Sequence, residues 1–327
     1  MKPVAVIPVA GAGTRLRPLT DTTPKPLLEV AGKPILAHIL DQVAEAEPER
    51  VVLVVGPGPQ GRRIHEYASR RGDLKIEHVV QSEPLGLGHA VAQAKDRVGK
   101  APVLIVLGDT IALAPFAELT AGGSSLGVRE VSDPRRFGVA VVRNGRITEL
   151  VEKPEHPVSN LALVGLYFLA NAPLLFQSLA ALEEEGKRTR GELQLTDALQ
   201  RMIEKGEELR PFPVQAWYDC GKTDTLLETN RALLDLHAGP VSRPGVVCLP
   251  PVALDPSADV LHSVIGPHTS IGPGARVRRA VVRNSIINQG ATVEDALLDL
   301  SVVGENAVVR GAYQRLNVGD SSEVKST

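Results

Sequence analysis

Short aliphatic runs at residues 4–10, 51–55 and 103–107 alternate with stretches whose apolar residues recur at helical spacing. Runs of that length, closed by glycine or a turn residue, are the pattern of strands covered on both faces. Between them, Ile35, Leu36, Ile39, Leu40 and Val43 fall on one face of a helix predicted over residues 34–46, and residues 90–98 form a second helical candidate. Such alternation of strand and helix over the first ~110 residues predicts an open α/β sheet. Further along, the same reading expects strands at 137–142, 147–152 and 162–169 and helices at 172–185, 196–205 and 223–237.

The texture then changes. Residues 239–251 are rich in Pro and Gly and the amphipathic pattern stops, which places a boundary near residue 240 and divides the chain into domains at 1–238 and 239–327. Beyond it, Leu254, Val260, Ile265, Ile271, Val277, Val282, Ile287, Val293, Leu298, Val303 and Val309 recur at intervals of five or six. Every third of these positions, Val260, Val277, Val293 and Val309, is separated by 17, 16 and 16 residues, and Ile265-Gly266-Pro267 and Ile271-Gly272-Pro273 mark tight corners. One aliphatic residue per side of a three-sided coil is the rhythm of a left-handed parallel β-helix built from hexapeptide repeats. A β-sandwich would instead alternate with period two.

Composition adds mainly exclusions. The 327 residues are 43% hydrophobic and 23% charged, as in a globular protein. With 36 basic against 38 acidic residues the net charge is −2, so nothing global favours nucleic acid or an anionic membrane, and any anion site must be local. Cys220 and Cys248 lie 28 positions apart without a second pair, which excludes a zinc knuckle and a disulfide framework. The longest nearly apolar stretch, residues 161–176, is broken by Gly165, Asn171 and Pro173 and falls short of the ~20 residues of a membrane helix. Because Arg15-Leu16-Arg17-Pro18 follows at once, the first apolar run reads as a strand rather than a signal peptide, and the cytoplasm is expected.

Candidate chemistry begins where that first strand ends, at Gly11-Ala12-Gly13-Thr14-Arg15-Leu16-Arg17-Pro18, followed by Pro24-Lys25-Pro26. Glycines directly after a strand let the backbone turn and present N–H groups to phosphate oxygens, while Arg15 and Lys25 bring compensating charge. A Walker A loop would need Gly-Lys-Ser/Thr, which is absent, and a dinucleotide fingerprint would need glycine at position 16, which is leucine.

The whole string resembles the signature of the sugar-1-phosphate nucleotidylyltransferases, and further segments follow in that family's order. Gln81 with Pro84-Leu85-Gly86-Leu87-Gly88-His89-Ala90 is similar to the base-binding segment, and Leu107-Gly108-Asp109 to the metal-binding turn. Phe137-Gly138-Val139, Glu152-Lys153-Pro154 and Val164-Gly165-Leu166-Tyr167 resemble the sugar-pocket strands. Glu192-Leu193-Gln194-Leu195-Thr196-Asp197 and Trp217-Tyr218-Asp219-Cys220-Gly221 complete the series, so the resemblance spans residues 1 to about 235. The β-helix matches the longer members, in particular long-form glucose-1-phosphate thymidylyltransferases.

What the resemblance implies is an α/β fold, a Rossmann-like open mixed sheet carrying the nucleotidyltransferase site, followed by the left-handed β-helix. The implied reaction moves a nucleotidyl group from dTTP or UTP to a hexose 1-phosphate, glucose 1-phosphate foremost, with pyrophosphate leaving. The attacking phosphate is already ionised near neutral pH, so catalysis reduces to alignment and charge neutralisation. Arg15 and Lys25 are the implied catalytic cations, and Gly11, Gly13, Thr14, Gln81 and Gly86 the nucleotide-binding residues. Gly138, Glu152 and Lys153 would hold the sugar phosphate, and Asp109 and Asp219 would hold Mg²⁺. Tyr167 is expected in the core.

Two departures matter. Cys220 stands where the family has Thr, which would leave a thiol beside the metal carboxylates. Gly88-His89-Ala90 is closer to the uridylyltransferase form, whereas the amino-terminal signature is closer to the thymidylyltransferase form, so dTTP and UTP both stay open. A hexapeptide-repeat acyltransferase using His262 or His268 is opposed by the shortness of the β-helix, and a non-catalytic scaffold by the intact Arg15, Lys25, Asp109 and Asp219. Neither nucleic acid nor membrane is expected as a partner, while exposed β-helix faces and open coil ends invite a homo-oligomer.

Overall fold

The aliphatic runs become neighbouring strands at the centre of one sheet. Val4–Pro8 lies between Arg50–Val55 and Val103–Val106 and is parallel to both, and Ile76–Val80 continues the parallel part beside Arg50–Val55. Leu161–Leu169 runs antiparallel to Val103–Val106 and leads through Gly138–Arg143 to the edge strand Arg146–Glu152. Ser125–Glu130 also pairs with Leu161–Leu169 and carries Arg210–Pro213 in parallel. The nine-stranded sheet is therefore mixed, as the family resemblance implied. Helices cover its central strands, Leu87–Ala92 packing on Val4–Pro8 and Pro59–Ala68 on Arg50–Val55, and Ile35–Glu45 buries Ile35, Leu36, Ile39, Leu40 and Val43, the expected face. Full burial of such side chains contributes roughly 1.5–3 kcal/mol each.

The structure is a computed structural model and describes residues 1–311; the remainder of the expected β-helix domain, residues 312–327, lies outside the described residues. The chain forms two units, Met1–Glu29 with Lys33–Thr229, and Val30–Gly32 with the chain from Asn230 onward. The division falls within the helix Thr223–His237. In the second unit the short strands stack into three parallel sheets, each of four strands among the described residues. One sheet holds Val252–Leu254, Thr269–Ile271, Ile286–Ile287 and Val302–Val303, in which Leu254, Ile271 and Ile287 are in register. All the repeat positions named above lie in or against this unit's apolar core. Gly266 occupies one expected corner at φ 104°, and a Cβ there would come within 2.0 Å of the Leu249 carbonyl oxygen, so only glycine fits. On the outside of another sheet Val247, Val281 and Leu297 are exposed, flanked by the ion pairs Arg279–Asp295 and Arg283–Asp299.

Local differences from the sequence expectation have local causes. The helix expected over residues 90–98 is two short helices, Leu87–Ala92 and Lys95–Val98. The chain tightens between them, with the N–H groups of Gln93 and Ala94 donating to the carbonyls of Ala90 and Val91 at 3.2 and 3.0 Å, three residues back. The strands Ile76–Val80 and Arg210–Pro213 carry Glu, His, Pro and Arg, polar or helix-breaking residues tolerated at sheet margins but without an aliphatic signature. Among the described residues no helix is long and apolar enough to cross a membrane.

Candidate active site

The first strand delivers the chain into the turn 9–13 above the sheet. Gly13 sits in the left-handed region at φ 62°, and a Cβ there would meet Thr20 Cγ2 at 3.0 Å and Lys25 Cβ at 3.1 Å. Thr20 Oγ1 donates to the Gly13 carbonyl at 2.9 Å and pins the turn. Glycine here therefore lets the loop and Lys25 approach each other closely.

Lys25 is itself buried, and its ammonium meets Asp109 Oδ2 at 2.7 Å. Asp109 precedes the strand Thr110–Leu113, which pairs antiparallel with Ala216–Asp219 so that Thr110 faces Asp219. The Cys220 N–H donates to the Asp109 carbonyl at 3.0 Å. Two carboxylates 110 positions apart in sequence thus come to adjacent ends of one ribbon. A Cβ added at Gly221 would stand 2.7 Å from Asp219 Oδ1 and 3.4 Å from Arg15 Nη2, so this glycine leaves room for Arg15. Among the described residues no group of three or more His, Cys, Asp or Glu could hold a metal ion.

A cleft of about 610 Å³ gathers Gly11, Gly13, Thr14, Arg15, Lys25, Gln81, Gly86 and Asp109, with Gly221 at its wall. Segment 84–90 is clamped to the segment that follows Thr189: Gly88 N–H donates to the Leu193 carbonyl at 2.8 Å and Leu193 N–H to the Leu85 carbonyl at 2.9 Å. A Cβ at Gly86 or Gly88 would lie 2.6 or 2.9 Å from that Leu193 oxygen, which accounts for both glycines.

Gly138, Glu152 and Lys153 form a separate cluster that does not line this cleft. Glu152 accepts from Thr196 Oγ1 at 2.7 Å and from Lys153 Nζ at 3.0 Å. Its carboxylate is buried, and a Cβ at Gly138 would sit 3.1 Å from Oε2. Lys153 holds φ 42°, an uncommon conformation for a residue with a side chain. Its N–H donates to the Phe137 carbonyl at 3.0 Å, and its own carbonyl accepts from Arg190 Nη2 at 2.8 Å, which fixes it there. Tyr167 is buried in the sheet core as expected; burial, then the Glu152 charge, raises its phenol well above the ordinary range.

The sequence reading passed over four side chains that the structure brings to these clusters. Arg190 bonds Lys153, Thr196 bonds Glu152, and His89 lies 3.1 Å from Gln81. The guanidinium of Arg136 stands 3.9 Å from Asp219 and over the Phe137 ring. Arg190, Thr196 and His89 adjoin or lie in motifs already singled out, and Arg136 directly precedes one, which is the signal that could have found them.

The Cys220 thiol lies within electrostatic reach of Asp109 and Asp219, but it is fully buried and donates to Thr229 Oγ1 at 3.8 Å. Burial pushes it up to about 12, so it stays protonated and inert near neutral pH. Cys248 is only partly covered. One thiol per folded chain is therefore expected to react with Ellman's reagent at pH 8 and two after denaturation; two fast native thiols would contradict this burial.

Residues 4–235 match the nucleotidyl transferase family. A low-salt glycan biosynthesis nucleotidyltransferase of Haloferax volcanii is 32% identical over 315 residues, covering 85% of each chain. A glucose-1-phosphate thymidylyltransferase of Streptomyces antibioticus is 33% identical over 314 residues, covering 86% of each. A crystal structure of UDP-glucose pyrophosphorylase with UDP-glucose superposes with a TM-score of 0.63 at 26% identity, covering 72% of this chain and 100% of that one. The match runs over the whole length that holds the glycine turn, the two aspartates and segment 81–90, and the chain belongs to the nucleotidyl transferase family, among the sugar-1-phosphate nucleotidyltransferases.

Proposed function

We propose that this enzyme transfers the nucleotidyl group of dTTP or UTP to a hexose 1-phosphate, glucose 1-phosphate foremost, and releases pyrophosphate. The observation that carries the reading is the single cleft in which a glycine turn, Arg15, Lys25 and Asp109 meet Gln81 and Gly86. A phosphate oxygen of the sugar phosphate attacks the α-phosphorus; the new P–O bond forms as the α–β bridging bond breaks, and the electron pair leaves on pyrophosphate. The chain needs no general base, because the nucleophile arrives ionised.

Backbone N–H groups of residues 11–14 bind triphosphate oxygens, and Arg15 and Lys25 balance the charge that grows on the leaving pyrophosphate. Two hard carboxylates suit Mg²⁺, which takes one or two carboxylates and leaves its remaining positions to phosphate and water. Asp109 and Asp219 would hold it, and when bound it supplies positive charge to the triphosphate. Lys153 grips the phosphate of the sugar, while Glu152 accepts from sugar hydroxyls on lone pairs left free by Thr196 and Lys153. Unpaired thiols suit a reducing compartment, which supports the cytoplasm. The exposed apolar side chains of Val247, Val281 and Leu297 on the outside of one β-helix sheet support self-association.

Both a thymidylyltransferase and a UDP-glucose enzyme stand among the relatives, and a methyl group is worth only ~1–3 kcal/mol of discrimination. Overlapping use of dTTP and UTP follows, with dTTP moderately preferred. Pyrophosphate release measured for dTTP, UTP, CTP, ATP and GTP crossed with several sugar 1-phosphates tests it; ATP or GTP as best donor would sink the base-site reading.

A further inference from the structure

Two acidic residues line the cleft, Asp109 and Glu192, and their situations differ. Asp109 is paired with Lys25 at 2.7 Å, whereas Glu192 is in no ion pair among the described residues. Nor does it join Asp109 and Asp219 in a group able to hold a metal ion. Its place is nevertheless fixed. The N–H groups of Thr189 and Glu192 donate to each other's carbonyls at 3.0 and 3.2 Å, and Glu192 Cβ stands 2.8 Å from where a Cβ at Gly86 would lie. The buried Gln194 turns its amide nitrogen toward two groups that only accept, the Thr189 carbonyl at 3.4 Å and Glu192 Oε2 at 3.1 Å. Gln194 thus holds the carboxylate without neutralising it. That bond fills one of a carboxylate's roughly four acceptor sites, so the others are open to a donor.

A lone negative charge in a cleft that takes a triphosphate weakens binding unless it faces a part of the substrate that is uncharged and can donate. On the reading given above, the base sits at Gln81 and Gly86 and the phosphates at residues 11–15 and Lys25, all in this cleft. The ribose joins the two. It is therefore the neutral, hydroxyl-bearing part that comes next to Gly86 and Glu192, whereas the hexose residues Gly138, Glu152 and Lys153 do not line this cleft.

We infer that Glu192 is a further substrate-binding residue, whose carboxylate accepts from the ribose 3′-hydroxyl of the nucleoside triphosphate. The inference rests on the proposed function, which places base and phosphates on either side. The 3′ position follows from the two donors proposed there, since dTTP and UTP share that hydroxyl and dTTP lacks the 2′ one. A charged acceptor makes a stronger hydrogen bond than a neutral one. The same charge repels phosphate, so a triphosphate without the hydroxyl meets the repulsion and gains nothing in return.

The test compares dTTP with 2′,3′-dideoxythymidine triphosphate in the full chain and in Glu192→Ala, by calorimetric binding and by kcat/KM with glucose 1-phosphate. The unaltered enzyme should prefer dTTP by about tenfold or more in both readouts, as one hydrogen bond to a charged group allows. In Glu192→Ala the preference should fall to about twofold or less, and the dideoxy analogue should do as well as in the unaltered enzyme or better, because for it the carboxylate only repels. A role confined to holding the segment would weaken both triphosphates alike and leave the preference intact, which overturns the inference. So does an unaltered enzyme that uses dTTP but is indifferent to the 3′-hydroxyl. Two further arms locate the donor. A Glu192→Ala loss that vanishes with 2-deoxyglucose or 3-deoxyglucose 1-phosphate gives the carboxylate to the hexose, and a loss confined to UTP gives it to the 2′-hydroxyl; either result overturns the 3′ assignment. An unaltered enzyme that neither binds nor turns over dTTP or UTP fails the functional reading itself, an outcome distinct from all of these.

Discussion

Lys25→Met is expected to lower kcat by about 10²–10³-fold, the usual cost of removing one preorganised charge from a transition state, while KM for the triphosphate changes far less. Lys25 keeps its ammonium 2.7 Å from Asp109 inside the cleft, where the low dielectric makes a fixed cation worth much more than in water. Negative charge on the leaving pyrophosphate grows only as the α–β bond breaks, so a cation waiting there favours the transition state over bound substrate. The substitution also strips Asp109 of its buried partner and leaves a carboxylate beside an incoming triphosphate, which adds repulsion to lost attraction. Steady-state kinetics at saturating Mg²⁺ would measure it, with circular dichroism to verify folding. A pure KM effect would assign Lys25 to ground-state binding.

Ile271→Ala is expected to destabilise the second unit by ~2–5 kcal/mol, the range for deleting most of a fully buried aliphatic side chain. Ile271 is completely buried, in register with Leu254 on the coil before and Ile287 on the coil after. A β-helix stacks its aliphatic residues in columns, so the vacated space has few side chains able to swing into it. Each coil depends on its neighbours for its apolar face, which makes the loss propagate along the stack. Calorimetry should register a clearly lowered transition with the active-site cleft residues unchanged. A change below about 1 kcal/mol would mean that the coils relax around the gap.

How much of this was legible beforehand differs from element to element, and each difference has a cause. The strands Val4–Pro8, Arg50–Val55 and Val103–Val106 announced themselves because burial on both faces demands unbroken aliphatic sequence. The β-helix did so because its repeat is written directly in the spacing of Val260, Val277, Val293 and Val309. The edge strand Ile76–Val80 did not, since one covered face and a solvated margin leave only a weak apolar signal.

For the site, glycines and basic residues directly after a strand suited phosphate by themselves, whereas the two aspartates became candidates through the resemblance of the ordered motifs to the sugar-1-phosphate nucleotidylyltransferases. Tertiary structure alone decided which of them meet. Asp109 and Asp219 become neighbours only because Thr110–Leu113 pairs with Ala216–Asp219, a register that depends on hydrogen bonds between distant segments. The same pairing brings the Cys220 backbone against Asp109 while its thiol lies buried against Thr229, a burial that its place in the motif did not announce. Likewise His89 acquires its partner Gln81 from the way a helix and a strand end pack together. A side chain's direction and its hydrogen-bond partner are properties of packing between segments, and local sequence carries only the chemistry that packing then puts to use.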